Sequence, residues 1–139
     1  MDDESTDQRR AANRATFMAV MDAITRGAYD ELATLVTEDL VFDLPYGPSF
    51  MPNPVLGRDA WMKMSTRTFA MFSSFVQHVD VILDLVDPDA LVAEYHSDAV
   101  VARNGNAYCN RYIGVLRFRD GRVCAWREFH DPQATKSLA

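Results

Sequence analysis

From Val79 to Phe129 apolar and polar residues alternate, and the alternation breaks only at turn signals: Asp87-Pro88-Asp89, Asn104-Gly105 and Asp120-Gly121. A period of two sustained over four such stretches commits this half of the chain to an antiparallel sheet with one apolar face. The strands run from Val79 to Leu85, Leu91 to Val101, Tyr108 to Phe118 and Val123 to Phe129. In the first, Val79, Val81, Leu83 and Leu85 share one face by alternation. An apolar sheet face needs a cover, and the first half of the chain supplies it.

Ser5-Thr6-Asp7-Gln8 has the form of a capping box, and Phe17, Val20, Met21 and Ile24 follow at helical spacing until Gly27. A shorter helix begins near Asp30 and carries Leu32, Leu35 and Val36. Leu40 to Leu44 reads as a strand stopped by Pro45, with a loop from Tyr46 to Gly57 whose Phe50, Met51 and Leu56 could fold over something apolar. Asp59 is placed to cap a third helix with Trp61, Met64, Thr68 and Phe72 facing inward. The fold class is α+β, three helices against one face of an antiparallel sheet. Residues 8–132 form the domain, 1–7 a flexible N-terminus and 133–139 a tail.

Twenty Asp+Glu against fourteen Lys+Arg give a net charge of −6. That field repels a phosphate backbone, which argues against nucleic acid as a partner. No apolar stretch approaches the ~18–20 residues of a membrane span, and no export leader is legible, so the reading is cytoplasmic with no membrane partner. Cys109 and Cys124 fall on opposite faces and do not form a disulfide. There is no Gly-rich phosphate loop and no compact set of metal-ligand spacings, so neither cofactor nor metal is expected.

Hairpin register turns the list of residues into geometry. A two-residue turn at Asn104-Gly105 sets Ser97 opposite Tyr112, and a three-residue loop with Gly121 left-handed sets Tyr112 opposite Glu128. One face then carries Ala93, Tyr95, Ser97, Asn110, Tyr112, Leu116, Phe118, Trp126, Glu128 and His130. The other carries Glu94, His96, Asp98, Arg111, Arg117 and Arg127, which reads as solvated surface. The aromatic set belongs on the helix-covered side. Glu128 is the anomaly there: desolvation would hold its carboxyl partly neutral near pH 7, the state of a general acid or base. The bland alternative is a strand-end glutamate bonded to Tyr or Asn, or paired with arginine. Asp43, between Phe42 and Leu44, is the second odd acid, and points either inward beside the loop or outward to water.

This layout resembles the SnoaL-like, or nuclear-transport-factor-2-like, superfamily over roughly Gln8 to Pro132. The segments that carry the resemblance are Gly57-Arg58-Asp59-Ala60, Tyr112-Ile113-Gly114-Val115, Asp120-Gly121-Arg122-Val123 and Trp126-Arg127-Glu128-Phe129-His130-Asp131-Pro132. The last run is similar to the closing strand of limonene epoxide hydrolases and phenazine-biosynthesis isomerase-like proteins, where the matching acid is catalytic. The resemblance implies a cone-shaped curved sheet enclosing a pocket for a small hydrophobic molecule, and a homodimer through the outer face of the sheet, with Ile113 and Val115 as its apolar patch.

On that reading Glu128 is the general acid/base of an isomerase- or cyclase-type proton transfer, with Asp43 an auxiliary acid or water positioner. Tyr95, Asn110, Tyr112 and His130 orient the substrate. Trp126, Trp61, Met64, Phe72, Phe17 and Phe50 supply apolar walls. The chain departs from the epoxide hydrolases where their paired arginine and aspartate are replaced by Tyr95 and Ser97, and from ketosteroid isomerases in lacking a first-helix tyrosine. The alternatives are a non-catalytic ligand-binding or dimerisation module of the same fold, and an epoxide hydrolase with rearranged groups.

Overall fold

The computed structural model describes residues 4–139. Helices α1 (Glu4–Arg26), α2 (Tyr29–Thr34) and α3 (Arg58–Phe69) pack on a curved, unclosed six-stranded sheet. Its strands are β1 (Val36–Asp43), β2 (Val55–Leu56), β3 (Phe72–Asp84), β4 (Ala90–Val101), β5 (Ala107–Arg119) and β6 (Arg122–His130), in the order β2-β1-β6-β5-β4-β3. All neighbours are antiparallel except β1 and β6, which run parallel, so the sheet is mixed rather than wholly antiparallel. The long β5–β6 and β4–β5 hairpins are the elements the turn signals demand.

Helix α1 begins at Glu4, so the Ser5–Gln8 segment lies inside the helix rather than at its cap. Gly27 closes it at φ 67, a conformation that costs glycine little. Phe17, Val20, Met21 and Ile24 are buried against the sheet, as their spacing requires. Polar groups fix the angle at which α1 docks: Arg14 pairs with Asp84, Arg9 with Asp89, and Asn13 donates to the Pro88 carbonyl at 3.0 Å. Val36 belongs to β1, because α2 ends at Thr34.

In α3 the buried stripe is Trp61 and Ser65, with Phe69 following, so Thr68 is exposed. Met64 is half-buried against the main core. Phe72 lies past the helix in β3 and joins Phe75, Tyr108, Ala99 and Val101 in a second small cluster, not the main one. The last residues form a short 3₁₀ helix, Pro132–Leu138, tied to the β4–β5 turn by Arg103 to the Leu138 carbonyl at 2.9 Å and Asn106 to the Ser137 carbonyl at 3.3 Å.

Besides the shifts between Phe72 and Ser74 in β3 and between Val36 and Val41 in β1, three irregularities set the registers. The β4–β5 connection is longer than two residues, since Val101 N–H donates to the Asn106 carbonyl at 2.8 Å, and Tyr112 pairs with Tyr95 rather than Ser97. The β5–β6 turn is Asp120-Gly121, both at positive φ, and a bulge after Arg117 sets Gly114 opposite Glu128 and Tyr112 opposite His130. Each is a slip of two residues, which leaves every side chain on its expected face. The third is a bulge in β3 between Val79 and Val81, a slip of one. It turns Val79 and Ile82 toward the core and leaves Val81, Leu83 and Leu85 exposed. Both cysteines are free.

Candidate active site

The inner face of β4, β5 and β6 places Tyr95, Tyr112, Trp126 and Glu128 together, as alternation predicts. Tyr95 is 1% exposed, wedged between an edge-on Phe17 ring at 5.7 Å and the stacked Tyr112 ring at 5.2 Å. Its hydroxyl donates to Glu128 Oε2 at 2.5 Å and accepts from Trp126 Nε1 at 3.1 Å. Trp126 is held in turn by Phe42 and Trp61, at 5.5 and 6.0 Å between ring centres. A chain of donors therefore runs from the indole through the phenol to the carboxyl. Each link is anchored in packed rings, which fixes its direction.

Room for the phenol comes from a missing side chain. Gly114 lies directly opposite Glu128, and a Cβ there would stand 2.8 Å from the Tyr95 oxygen and 3.0 Å from Trp126 Nε1. Only glycine lets the hydroxyl pass over the strand.

Burial pushes the Glu128 carboxyl up from 4.5 to about 7, while the Tyr95 hydrogen bond pulls the other way and loses. Desolvation, with the nearby Glu128 charge second, drives Tyr95 well above its ordinary value, so it stays a donor at any working pH. Tyr112 is raised by burial too, and its hydroxyl shares a 2.8 Å bond with Ser97 Oγ. His130, the next inward residue of β6, is half-buried, and burial lowers its pKa. Its Nδ1 is buried with no hydrogen-bond partner, so it holds unused capacity on the same face as the carboxyl.

Other predicted site residues stand elsewhere. Asp43 pairs across the β1–β6 ladder with Arg127, whose Nε donates to Oδ2 at 3.1 Å. Arg127 points away from Glu128 on β6, so the two acids lie on opposite sides of the sheet. Asn110 is buried, but all its amide capacity is spent: Nδ2 donates to Tyr108 Oη and the Asp131 carbonyl, and Oδ1 accepts from Arg111 and Asp131 N–H groups. It clamps the end of β6 and has nothing left for a ligand. Phe50 is 85% exposed, and its loop leans the other way, with Tyr46 against Phe129 at 5.9 Å. Phe72 sits in the second cluster, and Phe17, Trp61 and Met64 pack in the main core.

Two of the surface grooves border the sheet, and Glu128 lines neither. One of about 370 Å³ runs past Glu94, Arg111, Ile113 and Phe129 and is also bordered by Tyr95, Tyr112 and His130. The other, about 460 Å³, lies by Thr37, Asp39, Arg119 and Arg122. Sequence spacing showed no metal-ligand set, yet strand pairing brings His78, His96 and Asp98 together on the outer face. Among the described residues no helix is long and apolar enough to cross a membrane.

The profile of the SnoaL-like domain matches residues 17–126, ending two residues short of Glu128. An uncharacterized PhzA/B-like protein of Pseudomonas aeruginosa is 34% identical over 94 residues, 66% of this chain and 64% of that protein, so the chain spans somewhat under two thirds of that relative's length. Uncharacterized protein YesE of Bacillus subtilis is 29% identical over 102 residues, 71% of this chain and 67% of its own. Among solved structures, a phenazine biosynthesis-related protein of P. aeruginosa superposes with a TM-score of 0.78 at 19% identity, covering 97% of this chain and 90% of its own. An LEH-like epoxide hydrolase of M. tuberculosis gives a TM-score of 0.71 at 19% identity, covering 92% of this chain and 90% of its own. At these identities the structures share the fold.

Proposed function

Because the chain belongs to the SnoaL-like domain family, we propose that it is a small-molecule enzyme of isomerase or cyclase type, with Glu128 as its general acid/base. The observation that carries this reading is a carboxyl on the inner face of the curved sheet, raised to about 7 by burial and bound on one oxygen by a tyrosine that burial holds well above its ordinary pKa. A carboxyl poised there is half charged at neutral pH, so it takes a proton from one substrate atom and returns it to another at little cost. The Tyr95 hydroxyl steadies the charged form at Oε2 and leaves Oε1 for the transfer. Trp126 N–H holds the phenol in that orientation. His130, uncharged and with an unpaired Nδ1, offers a hydrogen bond to a carbonyl or hydroxyl of the substrate. The aromatic surroundings favour an apolar substrate. Asp43 has no part in this scheme. The names of the structural relatives, phenazine biosynthesis-related and epoxide hydrolase-like, fit proton-transfer chemistry in such a site.

On a substrate turned over by the wild type, Glu128→Gln lowers kcat by ~10²–10⁴-fold. Full turnover by the variant would remove Glu128 from the mechanism.

A ligand-binding or assembly module is the second reading. The specific observation in its favour is the dense ring packing around Tyr95 and Trp126, together with two grooves that leave Glu128 aside. On that reading a small hydrophobic molecule leaves the protein chemically unchanged after incubation. The exposed Val81, Leu83 and Ile113 on the outer face support a homodimer, which sedimentation at micromolar concentration tests.

A further inference from the structure

The β3–β4 ladder sets His78 directly opposite His96, and Asp98 follows two residues on, on the same outward face. The two imidazoles stack at 4.7 Å with planes 20° apart. His78 Nε2 lies 3.1 Å from Asp98 Oδ2, and one donor atom from each of the three residues falls within 4.8 Å of the other two. The second histidine is already oriented. Its Nδ1 meets Asp80 Oδ2 at 2.7 Å, and a carboxylate there accepts, so that nitrogen carries the proton and Nε2 keeps the lone pair. Cys109 Sγ donates to the other oxygen of Asp98 at 3.4 Å, which leaves Oδ2 facing the histidines.

We infer that the outer face of the sheet carries a divalent-cation site, with His78, His96 and Asp98 as ligands to Zn²⁺ and Asp80 as the group that orients His96. Two imidazoles and one carboxylate are the donors zinc takes, and at ligand bonds of about 2.0–2.1 Å a tetrahedral site sets its donors roughly 3.3 Å apart, close to the spacing of His78 and Asp98. Three protein ligands leave a fourth position for water. The charges nearby favour a cation: Asp80, Asp98 and Glu94 on the same face outnumber Arg111, which pairs with His96 across β4–β5. His78, His96 and Asp98 are open to solvent, with side chains 45%, 37% and 60% exposed, so an ion reaches them without unfolding anything. The site lies across the sheet from Glu128 and stands whether or not that residue is catalytic.

Calorimetric titration of the untagged full chain with Zn²⁺ tests this, paired with ring-nitrogen NMR of its three histidines. The expected result is one Zn²⁺ per chain, shifting the His78 and His96 resonances and leaving His130 in place. His78→Ala and Asp98→Ala each weaken binding by at least about 100-fold, and Asp80→Asn by about 10–100-fold at unchanged stoichiometry. These positions are exposed, so circular dichroism of the variants matches the wild type. No saturable binding at micromolar Zn²⁺, binding that survives His78→Ala, or a shift confined to His130 would overturn the assignment.

Discussion

Replacing Glu128 by Gln isolates the energetic consequence of burying its carboxyl. Glutamine mimics the protonated acid, since its amide oxygen accepts the Tyr95 hydroxyl in the same place. The native carboxyl holds its proton up to about pH 7, against 4.5 for an ordinary glutamate. Between those values the native state binds more protons than the unfolded chain, so the contribution of Glu128 to stability falls as pH rises through that window. Below it both states are protonated and nothing is lost; above it the loss is complete. At about 1.4 kcal/mol per pH unit, the full loss is about 3 kcal/mol. Urea denaturation of both proteins from pH 4.5 to 8 measures it, because every other titrating group is common to the pair and cancels in the difference. Glu128→Gln gains on the wild type by up to about 3 kcal/mol across the window and no further beyond it. A gap that stays constant with pH, or a variant that weakens relative to wild type on going to pH 8, would refute a desolvated carboxyl.

Other variants probe the same network. Tyr95→Phe removes the bond that lowers Glu128, so the carboxyl titrates above 7 by carbon NMR, and Trp126 N–H, left unpaired, costs about 1–3 kcal/mol of stability. Gly114→Ala drives a methyl against the Tyr95 oxygen and destabilises by about 1–3 kcal/mol in urea, with the Glu128 titration displaced as well. Asp43→Asn breaks a partly exposed ion pair with Arg127; stability changes by less than about 1 kcal/mol and turnover stays within about twofold.

What could be read before the structure depended on parity more than on register. Tyr95, Tyr112, Trp126 and Glu128 were brought to one face by alternation alone, and that survived because both hairpins slip by two residues, which preserves sidedness. Their partners across the strands were not legible, since the extra turn residues after Val101 and the bulge after Arg117 leave no mark in local propensity. In β3 the slip is one residue, and there alternation failed: Val81, Leu83 and Leu85 face out. The side chosen by Asp43 was set by β1 pairing in parallel with β6, a long-range event that no window of sequence contains. Phe50 misled because an apolar residue in a Pro-rich loop reads the same whether it covers a pocket or meets water. The Gly114 vacancy and the Asn110 clamp depend on cross-strand distances that follow only from the register.

The single extra residue near Asp80 makes β3 serve two masters along its length. Val79 lies on its upstream side and Ile82 on its downstream side, and both reach the core only because the count of residues between them is odd in effect. Were the extra residue drawn into the ladder instead of bulged out, everything from Val81 to Asp84 would rotate by half a turn. The greasy side chains of Val81 and Leu83 would swing beneath α1, Ile82 would be driven into water, and Asp84 would desert Arg14. Helix docking and outer-surface chemistry are thus yoked through one kink, and neither can be redesigned without the other.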